Sequence, residues 1–181
     1  MRHFLIISNT VDTTKALSLN SLTGYGRLDV ICRCITAAFF LSNEFRKDVT
    51  LEVFFRKNKR TLEISPDVRG INPDERAIAG VLKRVFIGYS LQGIRFFHEN
   101  LETLLERRKP VILDSCGNQS IQNIEKYNAY LIGDQIGFLE EDRSLIENLP
   151  KLTLGSRVYL SSQAITILNY NLDLKNSKFE I

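Results

Sequence analysis

Residues 158–174, "VYLSSQAITILNYNLDL", support two readings, and the choice between them decides the fold. Ile165, Thr166 and Ile167 are β-branched in succession, which favours an extended strand at the edge of an open sheet. Leu160, Ala164, Ile165, Leu168 and Leu172 also recur near one face of a helix, with Ser161 or Ser162 placed to cap it. The local pattern leaves both open.

Outward from this segment the pattern is clearer. "KLTLG" (151–155) reads as a short strand, "EEDRSLIENL" as a helix, "AYLIGD" as a strand, "QSIQNIEKY" as a short helix, "PVILDS" as a buried strand and 99–109 as a helix. Strands alternating with helices over short connections predict an α/β fold, its mostly parallel sheet covered by helices on both faces in this half.

Towards the N-terminus, "HFLIIS" is a strand and 27–42 a helix. "VTLEVFFRKNKRTLEIS" is a hairpin turning at Asn58 and Lys59. "NPDERAIAGVLKRVF" reads as a helix with Asn72 as N-cap, Pro73 in the first turn, and Asp74 and Glu75 at the positive end. Its apolar stripe is Ile78, Val81, Leu82 and Val85. At 181 residues and 44% hydrophobic content, with no repeats or low-complexity linkers, residues 1–181 are expected to form one domain.

Several classes are set aside by composition. The apolar run in "MRHFLIISNT" is too short for a secretory signal, and no stretch approaches a membrane span, so a soluble, cytoplasmic protein with no membrane partner is expected. Cys32, Cys34 and Cys116 form no CxxC and only His3 and His98 could join them, so neither a disulfide nor a metal is expected. Neither GxGxxG nor GxxxxGK[ST] occurs, which removes the usual dinucleotide and P-loop sites. Charge is distributed unevenly: 18 lysines and arginines face 12 acidic residues up to residue 110, and 6 face 9 after it. The basic first half suits a polyanion, whose phosphate contacts release counterions.

Three glycine- or serine-bearing stretches stand at the C-terminal ends of expected strands: "LIGDQIG" (131–137), "LTLGSR" (152–157) and "YLSSQA" (159–164). Ligands of open α/β sheets bind along that edge. A second oddity is the helix at 27–42, otherwise suited to burial, which carries Arg27, Asp29 and Arg33 in its first two turns.

Taken together, "GRLDVICRCITAAFFLSNEFRKDV", "PDERAIAGVLKR", "LIGDQIGFLEED" and "LTLGSRVYLSSQAITILNYNLD" resemble the archaeal tRNA pseudouridine N1-methyltransferase (TrmY) family, over nearly the whole chain. That family belongs to the SPOUT class of S-adenosylmethionine-dependent RNA methyltransferases. The resemblance implies a C-terminal deep trefoil knot over about 110–175, with "SSQAITILNYNLD" as its threaded helix. It also implies a homodimer, tRNA as partner and S-adenosyl-L-methionine as methyl donor. Leu131, Ile132, Gly133, Leu154, Gly155, Leu160 and Ala164 would line the donor site through backbone groups and small apolar contacts. The family commonly has His-Cys where Gln163 and Ala164 stand, which would remove a side-chain contribution from that loop.

The implied reaction is N1-methylation of a pseudouridine at position 54, in the T loop. An rRNA pseudouridine N1-methyltransferase and a catalytically silent RNA-binding relative are the alternatives. Asp29 would accept the N1 proton, with Arg27 or Arg76 holding the neighbouring carbonyl oxygens, and Leu28, Ile31, Cys32, Ile35 and Phe39 would pack inward. A structural ion network at the helix start is the competing account of Asp29, and N-capping that of Asp74 and Glu75. Arg27, Arg33, Arg56, Lys57, Arg60, Arg76 and Arg157 are the RNA-contact candidates, with Lys59, Arg69 and Arg84 as further phosphate contacts.

Overall fold

In the first strand Phe4 and Ile6 point to one side and Leu5 and Ile7 to the other, and all four are fully buried, so both faces of the sheet need a cover. The computed structural model describes residues 1–176. Its strands are β1 (Arg2–Ser8), β2 (Val49–Phe55), β3 (Arg60–Ile64), β4 (Ile94–His98), β5 (Val111–Leu113), β6 (Gln119–Ser120), β7 (Ala129–Gly133) and β8 (Lys151–Thr153). Its α-helices are α1 (Leu28–Phe39), α2 (Glu75–Phe86), α3 (Leu101–Arg108), α4 (Arg143–Ile146) and α5 (Ser161–Asn176). The strands form one sheet in the order β4-β3-β2-β1-β7-β5-β8-β6. β1, β2 and β5 to β8 pair in parallel, while β3 and β4 extend the sheet antiparallel.

Helices α1, α2 and α5 cover the face of Phe4 and Ile6; α3 and α4 cover that of Leu5 and Ile7. In α1, Leu28, Ile31, Cys32, Ile35 and Phe39 are all buried. Burial pushes the Cys32 and Cys34 thiols up to about 12, so both behave as small apolar groups. The hairpin turns through Arg56–Asn58, with Lys59 left-handed after it.

Helix α2 begins two residues later than its sequence suggests. Asp74, not Asn72, is the N-cap, its carboxylate accepting from the Ala77 N–H at 2.8 Å. The chain 94–98 is a strand that the sequence reading leaves unassigned. Its alternation is short, and it is a strand because β3 presents an unpaired edge to it.

The ambiguous segment is the helix α5. Ile165, Leu168 and Leu172 are buried on one face against the core that also holds α1. Asn169 donates to the carbonyls of Ala37 and Ala38 at 3.0 and 3.3 Å, filling acceptors near the end of α1. Arg2, nearly buried, donates to the Asn169 side chain at 2.9 Å and to Asp173 at 2.8 Å. These tertiary partners outweigh a local strand preference worth at most about 1 kcal/mol per residue.

The opposite face carries a buried ion cluster. Glu52, fully buried on β2, forms an ion pair with Arg107 at 2.7 Å and accepts from Arg108 Nε at 2.6 Å, and Arg108 Nη1 lies 3.5 Å from His3 Nε2. Burial, then the Arg108 charge, pulls the His3 imidazole down from 6.5 to about 4. The native state therefore binds fewer protons than the unfolded chain between these values. Its His3-linked stability is complete above about pH 6.5 and is lost as pH falls through about 4. Melting temperature should fall across that window, and His3→Gln should flatten the slope in thermal melts.

Among the described residues no helix is long and apolar enough to cross a membrane.

Candidate active site

The C-terminal ends of β5, β7 and β8 and the first turns of α1 and α5 enclose a cavity of about 560 Å³. Its apolar wall is Leu113, Ile132, Phe138, Leu154, Leu160 and Ala164, with Val30 beneath. Arg27, Arg33 and Arg157 supply positive charge, and Asp114 and Asp134 are the acidic members of the lining.

The arginines of α1 are set by Asp29. It is 3% exposed and accepts from Arg27 at 3.0 and 3.1 Å and from Arg33 at 2.6 Å. Glu75 adds a second partner for Arg33 at 3.3 Å. Burial raises the Asp29 carboxyl, but hydrogen bonds from Arg27 and Arg33 and their charges outweigh it and hold it below the usual carboxylate value. Asp29 therefore lies behind the two guanidiniums, outside the cavity lining. Gly26 and Arg27 are both left-handed, φ 62° and 65°, and this double reversal turns the Arg27 side chain at the head of α1.

The third loop is organised by helix capping. The Gln163 side chain accepts from the Leu160 N–H at 3.0 Å, and the Leu160 carbonyl accepts from the Ala164 N–H at 2.9 Å, starting α5. Ser161 donates to the Gly133 carbonyl at 2.7 Å, which seats the first turn of α5 against the end of β7. Gln163 thus orders the loop where the resemblance leads one to look for His-Cys.

Of the residues singled out from sequence, Arg27, Arg33, Ile132, Gly133, Leu154, Arg157, Leu160 and Ala164 meet in this cavity. The Leu131 side chain does not: strand alternation turns it to the other face, where it packs with Leu5, Leu104 and Ile112. Gly155 is exposed outside the lining. Arg76 also stands apart, bonded to Asn20 at 2.8 Å, so Arg33 rather than Arg76 accompanies Arg27. Arg56 is held by Asn9, Glu141 and Asp142, and Arg60 lies 3.8 Å over the Phe96 ring; both stand outside the cavity lining. Lys57 and Lys59 remain exposed on the hairpin turn.

Leu113, Asp114 and Ser115 enter the lining without having been singled out. The rule that selected the other loops, the C-terminal edge of parallel strands, applies equally to "PVILDS". Asp134, Gln135, Gly137 and Phe138 lay inside a quoted stretch, but nothing local distinguished side chains that line a site from those that support it. Among the described residues no three His, Cys, Asp or Glu side chains gather as metal ligands would.

An apolar cavity at the C-terminal edge of a parallel sheet, fronted by paired guanidiniums, belongs to α/β proteins that bind a small molecule beside an anionic substrate. Residues 1–177 match the family described as "Putative SAM-dependent RNA methyltransferase", and the chain belongs to that family. It is 30% identical over 195 residues to a Methanocorpusculum labreanum protein named tRNA (pseudouridine(54)-N(1))-methyltransferase, covering 98% of this chain and all of that one. A Thermococcus kodakarensis protein of the same name is 32% identical, over 96% of this chain and 99% of its own. The fold resembles that of Archaeoglobus fulgidus Nep1, solved with S-adenosylhomocysteine, at a TM-score of 0.71 and 13% identity, over 96% and 97% of the two chains.

Proposed function

We propose that this chain transfers a methyl group from S-adenosylmethionine to N1 of a pseudouridine in tRNA, at position 54 as in the names of its relatives. The observation that carries the reading is the meeting of a donor-sized apolar cavity with the Arg27, Asp29 and Arg33 cluster in one place. About 560 Å³ lies within the range of sites that bury a small ligand, and the wall of aliphatic residues with polar loops suits an adenosyl group. Ile132, Gly133, Leu154, Leu160 and Ala164 would hold it, with Leu113 completing the floor. When bound, the donor supplies an electrophilic methyl on a sulfonium, which needs no metal.

This chain's residues must place N1 in line with the methyl and stabilise the negative charge left on the imide as its proton passes to solvent water at the open cavity mouth. Arg27 and Arg33 face the cavity and can hold the carbonyl oxygens that carry that charge. Asp29, already donor-saturated and shifted away from basicity, supports them by fixing both guanidiniums. Arg157, exposed at the cavity mouth, and Lys57 and Lys59 on the hairpin remain to meet phosphates.

The finer architecture belongs to the same reading. The α5 helix is taken as threaded through a trefoil knot, supported by its tie to Gly133 and its seat against α1. Pulling the chain by its ends should give an unfolded length short by the trapped residues; a full length would overturn the knot. Exposed Val158, Tyr159, Leu160 and Tyr170 support pairing of two copies over this face, and a monomeric mass by light scattering would count against it.

The test of the activity is incubation with labelled S-adenosylmethionine and, in separate reactions, unmodified tRNA, pseudouridylated tRNA and rRNA, followed by nucleoside analysis. Labelled N1-methylpseudouridine from the pseudouridylated tRNA is expected. Label only in rRNA would move the substrate, and donor binding without transfer to any RNA would make the chain a silent relative.

A further inference from the structure

Because Ser8 pairs with Phe55 and Ile7 with Gly133, the residues just beyond these strands form a row across the C-terminal edge of the sheet: Arg56, Asn9 and Asp134. Asn9, 7% exposed, is the centre of that row. Its backbone N–H donates to Asp134 Oδ2 at 2.7 Å. Its side-chain amide donates to Asp134 Oδ1 and to the Gly137 carbonyl, both at 2.9 Å. Its carbonyl oxygen accepts from Arg56 Nε at 2.8 Å. Arg56 in turn reaches Asp142 and Glu141, and Asp142 accepts from the Leu139 N–H at 3.1 Å. The loop after β7 is thereby pinned at Asp134, Gly137 and Asp142 by two residues from the first third of the chain. Its inner side supplies Gly133, Gln135, Gly137 and Phe138 to the cavity.

The next residue makes the complementary contact. Gln135 donates to Thr10 Oγ1 at 3.0 Å, and Thr10 Oγ1 donates to the Gly26 carbonyl at 2.7 Å, the peptide that introduces left-handed Arg27. One dipeptide therefore touches both halves of the site: Asn9 holds the loop on the donor side, and Thr10 joins that loop to the backbone that aims the arginine.

We propose that Asn9 and Thr10 are positioning residues, Asn9 shaping the donor loop and Thr10 coupling that loop to Arg27. The inference rests on the cavity being the donor site of a methyltransferase. In this arrangement the amide of Asn9 has its donors and acceptor all in use, so a change of its donor–acceptor pattern cannot be absorbed locally. An aspartate there would set two carboxylates against each other and leave the Gly137 carbonyl without its donor.

The experiment combines calorimetric titration of S-adenosylmethionine into the full chain with steady-state methylation of tRNA. Asn9→Asp should weaken donor binding at least about tenfold and raise the donor KM, with tRNA affinity unchanged. Thr10→Val, with rates normalised to the donor-binding stoichiometry of the same preparation, should leave donor affinity within about twofold and lower kcat at least about fivefold, and that normalisation removes simple loss of folded protein as the cause. Should Asn9→Asp fail to fold, Asn9→Ser removes the amide donors without adding charge and carries the same expectation. Unchanged donor affinity in the Asn9 variants, or a loss of donor affinity matched by an equal loss of tRNA affinity, overturns the role of Asn9. Equal kcat in Thr10→Val overturns the coupling. A wild-type chain that binds no donor overturns the functional reading itself, which separates the two failures.

Discussion

Asp29→Asn is expected to lower methyl transfer about 10²-fold or more, with donor affinity barely changed. The substitution keeps the shape of the side chain but removes the charge that holds Arg27 and Arg33, and it replaces one acceptor oxygen by a donor facing a guanidinium. Two accounts predict a loss of rate, and they part on pH. A proton acceptor would leave an acid limb in the wild-type rate profile that disappears in the variant. An anchor leaves the profile's shape intact and lowers thermal stability, because it strands charges around a buried site. The lowered Asp29 carboxyl favours the anchor, and rate–pH profiles of both proteins with thermal melts decide it. Stability linked to Asp29 has the sign of a depressed carboxylate: present at neutral pH and lost in acid as the carboxyl protonates.

Gly26→Ala should be the most destabilising single-methyl change at the site. A Cβ there would lie 2.3 Å from the Thr10 carbonyl oxygen, 2.5 Å from its carbon and 2.7 Å from Val11 Cα, all backbone atoms that cannot swing aside. The left-handed φ of 62° adds a conformational cost of about 1 kcal/mol. A total of about 3 kcal/mol or more is expected, a fall in melting temperature of roughly 6–12 °C for a chain of this size. The folded fraction should also transfer methyl poorly, since relief of the clash must displace the peptide that introduces Arg27. Melting curves together with rates normalised to folded protein test both parts; a variant that melts and turns over like wild type would show that the loop yields freely.

Much of the fold is legible locally. Phe4 to Ile7 announce a strand buried on both faces, and the stripe Ile78, Leu82, Val85 announces a helix packed on one side. Turn chemistry at Asn58 and Lys59 is equally local. At the site, Arg27 and Arg33 attract attention because charges are out of place in a helix meant for burial. The edge-of-strand rule finds Ile132, Gly133 and Leu154. It includes Leu131, whose side chain alternation from Ile132 assigns to the far face, and it passes over Asp114.

Arg56, Arg60 and Arg76 mark the limit of such reading. Each is a basic residue in a basic half of the chain, and sequence offers no means of knowing that Asp142, Phe96 and Asn20 lie against them. Asn9 and Thr10 give no local signal at all, since a polar pair after a strand is an ordinary turn. Their role exists because β1 lies between β2 and β7, bringing residues more than 120 positions apart within hydrogen-bond reach.

By itself, then, the sequence determined the periodic elements, the α/β order and the edge of the sheet where a ligand could sit, because these depend on residues a few positions apart. Only the tertiary structure decided that 161–176 is a helix, that Asp29 is held by two arginines, and which cations remain exposed. A β-branched run, a carboxylate or a guanidinium has nearly the same local energy in either role, and the difference is made by partners that folding brings from elsewhere in the chain.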